Sequence, residues 1–259
     1  MKKIIAYILV MLLPVVLLAQ DAKSGATAQV CTKAMGDSLY MANNYKEAVY
    51  VYEQLLVQEG KAAEVYYNLA NAYYKENEIA KAILNYERAL LLSPADKDVK
   101  FNLAIAAGKA VDKVNEPYKI FFVVWIEAVV NLLGMTAWAV VAIVAFVLFL
   151  VALLLFLFGK SITVRKITFF VSLSALVVTI FANLSALHHY HYITNGNAAI
   201  VMLPSVTAKS TPDASGTDLF VIHEGRKVYV SDDTMKGWKE IELEDGTLGW
   251  VPANAIEKI

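Results

Sequence analysis

The sequence predicts a multi-domain membrane protein: an α-solenoid, a transmembrane helical hairpin and a small all-β barrel, in that order. Two observations carry this. The 259-residue chain is 58% hydrophobic and 18% charged, with a mean hydropathy of +0.50, too apolar for one ordinary soluble domain. The apolar residues are also unevenly placed. Residues 24–115 show helical periodicity, 118–158 are nearly all apolar with a second apolar run at 167–187, and 197–259 break into short strand-like runs.

The opening stretch, MKKIIAYILVMLLPVVLLAQD, starts with Lys2 and Lys3, runs through an apolar core and reaches Ala19. A positive n-region, a short apolar region and a small residue at the cleavage site mark residues 1–19 as a signal peptide. Leu17 at the −3 position leaves an uncleaved anchor open. Either outcome carries the next residues across the membrane.

Residues 24–115 contain an internal repeat. Tyr66, Leu69, Ala70, Tyr73, Ala82, Tyr86, Ala89 and Pro94 occupy the signature positions of a tetratricopeptide repeat, whose period is about 34 residues. Met35, Gly36, Leu39, Ala48 and Tyr52 hold equivalent places one period earlier. Phe101, Asn102 and Leu103 echo Tyr67, Asn68 and Leu69 in a partial third unit. The pairs Gly36/Ala48 and Ala70/Ala82 are small where antiparallel helices approach closely, and the aromatics fill the space beside them. Such an array is near the minimum that buries a continuous core.

The stretch after Tyr118 is too long for one span, since about 20 residues cross the hydrocarbon. Lys119, Glu127 and Asn131 share one side of a helix, so 118–134 reads as an interfacial amphipathic helix anchored by Trp125. The spans are then 136–158 and 167–187. The loop between them, 159–166, carries Lys160, Arg165 and Lys166, and positive charge in a short loop marks the cytoplasmic side. The repeats and the barrel both fall outside the cytoplasm, in the periplasm of a bacterial inner-membrane protein. The competing topology counts 120–134 as a span, buries Glu127 and puts the barrel inside.

Residues 197–259 hold six short runs separated by Gly, Pro, Asp and Ser turns. Gly237-Trp238 precedes a strand, Asp245-Gly246 turns after it, and Gly249-Trp250-Val251 leads into a closing element. This order resembles a bacterial SH3-like domain.

Composition excludes several functions. A net charge of −1 with no basic stretch argues against nucleic acid. Cys31 is the sole cysteine, so no disulfide framework is available, and it reads as a buried helical thiol. No nucleophile signature or phosphate loop is present; Glu76, Glu78 and Glu87 read as a solvated helix face. His188, His189 and His191 are the only metal-type cluster. Neighbouring positions on a helix point apart, so the cluster reads as interfacial anchoring. The expectation is no enzyme, no cofactor and no metal.

Binding surfaces are the positive prediction. By repeat position, Lys33, Asp37, Tyr40, Tyr67, Asn68, Asn71, Tyr74, Phe101 and Asn102 face the concave groove. Amides pair with a peptide backbone, and tyrosines give contact area at low entropic cost. The tyrosines also have a packing role open to them. Lys33 and Asn68 match a carboxylate clamp, but Asp37, Asp98 and Asn102 stand where it needs an amide and two cations. On the barrel, Tyr229, Trp238 and Trp250 form a candidate aromatic groove for a peptide or glycan strand, with core packing as the alternative.

The order signal, short repeat array, membrane hairpin and SH3-like barrel resembles the BatE family of Bacteroides aerotolerance proteins over nearly the whole chain. The resemblance is carried by the repeat at 63–96, the paired spans and the stretch AIVMLPSVTAKSTPDASGTDLFVIHEGRKVYV with its Gly-Trp ending. It implies a complex with von Willebrand A-domain inner-membrane proteins and, through them, a MoxR-type AAA ATPase, and a link to oxygen or envelope stress. Three readings follow: a scaffold, a tether that binds peptidoglycan through the barrel, and a metal-dependent enzyme using the histidine cluster.

Overall fold

The computed structural model describes residues 31–112 and 120–259. The expected signal at 1–19, and the outer ends of the stretches 24–115 and 118–134, lie outside these residues. Residues 31–259 cluster as one unit.

Five helices come first: α1 (Lys33–Met41), α2 (Tyr45–Glu59), α3 (Ala63–Lys75), α4 (Ile79–Leu92) and α5 (Lys97–Ala107). Among the described residues they make two helical hairpins and a fifth helix packed against α4. Local chemistry sets the boundaries. The Thr32 hydroxyl accepts from the Met35 amide, and the Asp96 carboxylate accepts from the amides of Asp98 and Val99, satisfying N–H groups that have no partner within the helix. Asn43 and Asn77 occupy the same place in the two hairpin turns with φ of 59° and 62°, the left-handed region that Asn tolerates best after Gly. The period seen in the sequence is therefore a period in backbone conformation.

Packing follows the small-residue logic. A Cβ on Gly36 would lie 2.4 Å from the Tyr52 ring, so only glycine admits α2 that closely. Tyr52 and Tyr86 are each 1% exposed in a core with Leu55, Leu69, Ile83 and Leu84. Cys31 is buried but precedes α1 instead of lying within it, a correction to its helical assignment.

The apolar stretch forms α6 (Phe121–Val130), α7 (Met135–Phe158) and α8 (Ile162–Asn195). Both α7 and α8 are long and apolar enough to cross a bilayer, with mean hydropathies of 3.5 and 2.1. They pack through small side chains at coiled-coil spacing: Ala142, Ala145 and Ala152 on α7 against Ser172, Ala175, Thr179 and Ala182 on α8. Thr168 and Thr179 return their hydroxyls to the carbonyls of Val164 and Ala175, which removes the cost of a buried polar group. Two boundaries differ from expectation. The turn is only Gly159–Ser161, and Arg165 and Lys166 lie in the first turns of α8, because charge does not stop a helix. At Gly159 a Cβ would meet the Leu155 carbonyl at 2.5 Å, which explains the glycine at the end of α7. At the other end, α8 runs on to Asn195, so the histidine cluster is helical.

The C-terminal part is an antiparallel sheet of strands β1 (Ala198–Val201), β2 (Ser205–Lys209), β3 (Asp218–His223), β4 (Lys227–Asp232), β5 (Trp238–Glu242), β6 (Leu248–Pro252) and β7 (Ile256–Lys258). Its order is β3-β2-β6-β5-β4-β1-β7. Alternation puts Val206, Ala208, Ile222, Val228, Val230, Ile241 and Val251 inside. The Asp245-Gly246 turn forms as its residues require: Gly246 has φ 83° and the Asp245 carboxylate accepts from the Thr247 amide at 2.9 Å. The closing element is a 3₁₀ turn (Ala253–Ala255) followed by β7.

The sheet is docked on the repeats. Ile200 of β1 belongs to the repeat core, with Met202, Ala110 and Ile259 packed beside it. Polar bonds ring this contact. Lys227 Nζ meets Glu87 at 2.8 Å, Arg88 donates to Glu257 and to the Lys258 carbonyl, and Asp112 accepts from the His223 backbone amide at 2.7 Å.

Candidate functional site

On the concave side of the repeats, Asp37 is the hub. Its Oδ1 accepts from the Tyr52 hydroxyl at 2.7 Å and from Asn68 Nδ2 at 2.9 Å, and its Oδ2 pairs with Lys33 Nζ at 2.7 Å. Lys33 also reaches Glu64 at 2.8 Å. Burial alone would raise the Asp37 pKa, but the bonds from Lys33, Tyr52 and Asn68 together outweigh it and hold the carboxyl below its ordinary range. The hydrogen bonds to Asp37 and Glu64 push Lys33 up. Burial, followed by the bond to Asp37, pushes the Tyr52 phenol up, so it stays a donor.

One repeat later the arrangement recurs with an amide. Asn71 Oδ1 accepts from the Tyr86 hydroxyl at 2.6 Å and from Asn102 Nδ2 at 3.1 Å, and Asn102 also donates to the Tyr67 hydroxyl at 2.9 Å. Tyr74 carries Lys109 over its ring, 4.1 Å from the centroid. Tyr40 meets Tyr45 edge-on, and Phe101 is 66% exposed. Tyr40, Tyr67 and Tyr74 are half-buried. A cleft of about 300 Å³ opens here, lined by Asp37, Tyr40, Met41, Tyr52, Asn68 and Asn71. Lys33 is already engaged by two carboxylates, which removes the one cation of the carboxylate clamp. The amide nitrogen of Asn71 and the amide oxygens of Asn68 and Asn102 remain available among the described contacts. These are neutral groups matched to a peptide backbone.

The aromatic candidates of the C-terminal sheet do not form one patch. The register pairs Trp238 with Pro252 and Glu240 with Trp250, so both tryptophans lie on the outer face of adjacent strands and are half-buried. Tyr229 pairs with Glu242, further along that face and on the side of Lys227. It belongs beside the junction with the repeats.

The histidines form no common site: His188 and His189 meet edge-on with ring centroids 5.9 Å apart, but their other contacts diverge. His189 is 5% exposed, with Nε2 3.1 Å from the Val130 carbonyl, which also accepts from Trp138 Nε1 at 2.8 Å. His191 meets Asn195 instead. Among the described residues, no three His, Cys, Asp or Glu side chains converge on a metal-sized site.

The junction was not legible in the sequence. Glu87, read as part of a solvated face, is a correction: its side chain is 17% exposed and bound to Lys227. Its partner lies far along the chain, and no local pattern signals such a pair. A second cleft, of about 550 Å³, lies on the other side of the repeats between α2, α4 and Glu257, with the buried Asn85 among its lining residues.

A search of curated proteins gives no match to this chain. Against protein-family models, residues 63–96, which span α3, α4 and the turn after them, match the tetratricopeptide repeat, a module of protein–protein interaction.

Proposed function

We propose that this protein is a membrane-anchored, non-enzymatic adaptor whose repeat groove holds an extended segment of a protein partner in the periplasm. The amide row Asn68, Asn71 and Asn102 carries the reading: it is rigid, neutral and bonded at fixed distances to tyrosines and Asp37. A prearranged amide row binds backbone groups without first having to be ordered. The positive residues Lys160, Arg165 and Lys166 near the α7–α8 turn support a cytoplasmic turn, which sets the repeats and the barrel on the opposite side. Membership of the BatE family is part of the proposal, with von Willebrand A-domain membrane proteins as partners, a MoxR-type ATPase acting through them, and a role in aerotolerance or envelope stress. The helix α6, with Trp125 78% exposed, fits an interfacial position.

Crosslinking from a photoreactive residue at Tyr40 in intact cells, with a protease-cleavable tag after Ile259, tests this. The expected result is external cleavage of the tag and capture of von Willebrand A-domain proteins, reduced by Asn71→Ala. A protected tag, or capture indifferent to Asn71, overturns the reading.

A second reading has its own support in the two outward tryptophans. Trp238 and Trp250, beside Glu240, offer aromatic faces to a glycan strand, so the barrel would tether the membrane to peptidoglycan. Retention on purified sacculi, lost in Trp238→Ala, distinguishes it.

A further inference from the structure

The contacts of α4 show which end of the repeat array faces the membrane hairpin. A Cβ on Gly134, in the turn between α6 and α7, would stand 3.0 Å from the Leu92 carbonyl oxygen and 3.7 Å from Pro94. That turn is level with the part of α8 that leads towards β1: Trp138 meets Phe181 edge-on, and His189 reaches the Val130 carbonyl. Back along α4 the neighbours change in order. Leu91 and Glu87 line a small pocket with Tyr192 of α8, and Glu87 binds Lys227 on β4. The helix therefore climbs away from the hairpin, with Leu92 at its lower end. The starts of α3 and α5 lie at that end too. Lys61, just before α3, shares a cleft of about 300 Å³ with Leu91, Leu92 and Ile193 of α8, and α5 begins at Lys97, just after the Pro94 contact.

This level has the chemistry of a headgroup layer. Tyr190 and Tyr192 on α8 and Trp125 on α6 are exposed, and such amphipathic rings favour the boundary between membrane and water. Ile193 lies six residues beyond Leu187, where the second apolar run ends, a rise of about 9 Å. The headgroup layer is about 5–7 Å deep on each side of the hydrocarbon, so Lys61 stands at its outer edge and the contact of Leu92 with Gly134 lies within it. Lys61 and Lys97 are exposed beside the half-buried Leu91, Leu92 and Pro94, and long cations of this kind keep their stems on apolar surface with the amine among headgroups. Glu59, Glu64 and Asp98 are exposed on the same loops and helix starts. Charge therefore does not hold this end at the lipid; the hairpin does.

We propose that the repeat array is seated end-on on the lipid headgroups through its loops at 60–62 and 93–96, with the turns at Asn43 and Asn77 pointing away from the bilayer. The proposal rests on the membrane-anchored reading above and uses contacts between described residues alone. It also sets the height of the groove: Asn68 and Asn102 lie five residues into α3 and α5, about 8 Å along each helix. The amide row is then open to chain segments that run next to the bilayer.

The test uses the full-length protein with Cys31→Ser in phosphatidylcholine nanodiscs, some of whose lipids carry a nitroxide on the headgroup. A fluorophore is attached in turn through Lys61→Cys, Lys97→Cys, Ala42→Cys and Lys75→Cys, all at exposed positions. The two ends of α3 are about 20 Å apart, so quenching about threefold stronger or more is expected at positions 61 and 97 than at 42 and 75. Added phosphatidylglycerol or salt should leave this pattern unchanged. Equal quenching at both ends, or none at position 61 or 97, overturns the proposal. Quenching at 61 and 97 that appears only with phosphatidylglycerol also overturns it, because charge would then hold the contact. A further label through Val144→Cys, midway along α7, with the nitroxide moved to the acyl chain, tests the span by itself. Quenching there without quenching at 61 and 97 removes the seat and leaves the anchor; no quenching at 144 removes both.

Discussion

The Tyr52 hydroxyl donates to Asp37 across the first helical hairpin at 2.7 Å, and Tyr86 makes the same reach to Asn71 at 2.6 Å in the second. The two bonds are equivalent in position and differ in chemistry. One ends on a carboxylate that also holds Lys33; the other ends on a neutral amide. Both phenols belong to side chains that are 1% exposed, while the Asp37 side chain is 38% exposed.

Removing the two hydroxyls should therefore have unequal effects. Tyr52→Phe takes one of three donors from an ionised acceptor and is expected to cost about 2 kcal/mol, whereas Tyr86→Phe is expected to cost about 1 kcal/mol. Urea unfolding of the detergent-solubilised protein, followed by far-ultraviolet circular dichroism, measures both. Equal losses would mean that the Asp37 charge does not strengthen the bond.

The depressed pKa of Asp37 makes the first repeat acid-sensitive. A carboxyl whose folded value lies below its unfolded value stabilises the fold above the unfolded pKa, and that contribution is lost as pH falls through the folded value. The expected outcome is full protection of α1 amides from hydrogen exchange at neutral pH. Protection should then fall below about pH 4, and the Asp37→Asn protein should show a flatter profile. An unchanged profile in Asp37→Asn would remove Asp37 as the cause.

Gly36→Ala tests the closest helix contact. Its new Cβ would stand 2.4 Å from the Tyr52 ring, and overpacking of that kind costs about 2 kcal/mol. In a Tyr52→Leu background, where the ring is gone, Gly36→Ala should cost less than it does beside Tyr52, as read by the difference in urea midpoints.

At the junction, Lys227 is buried enough that desolvation alone would lower its pKa, yet Glu87, with help from Tyr192 and Tyr229, raises it overall. The amine therefore stays charged, and its raised pKa stabilises the docked state at neutral pH, with that contribution lost only as pH rises through the folded value. Lys227→Met leaves Glu87 desolvated without its cation and is expected to cost about 3 kcal/mol, while the double variant with Glu87→Leu recovers most of it. Limited proteolysis between β1 and the repeats provides the readout; additive losses would show that the pair is not coupled.

Much of this architecture is written locally. Gly36, Ala70 and their aromatic partners are spaced by one helical repeat, Asn43 and Asn77 mark equivalent turns, and the Asp245-Gly246 pair fits a tight turn whose geometry glycine satisfies. Periodicity and turn chemistry act over a few residues, so one sequence suffices to read them. Repeat phase also explains why Asp37 and Asn68, and Asn71 and Asn102, come together, because it sets which side chains share a face. What the pattern could not convey was the bonding itself, such as Asn68 donating to Asp37. The docking of the C-terminal sheet was less legible still. Ile200 reads as one more inward residue of a strand, and Glu87 as one more exposed acid, until the tertiary contact brings β1 against α4. Tyr229 was misgrouped with the tryptophans for the same reason: strand alternation gives a face, and only the register gives a neighbourhood.

Ile200 is shared with the repeat core, so the repeats and the C-terminal sheet pack as one unit. Ligands bound at both places gain from each other only if their own spacing matches, since a rigid scaffold gives high effective concentration at one distance and almost none at others. A flexible linker would accept many partners with a modest gain for each. Under the proposed reading, with ligands at both places, a mutation that loosens Lys227 from Glu87 would lower that gain without touching either candidate surface.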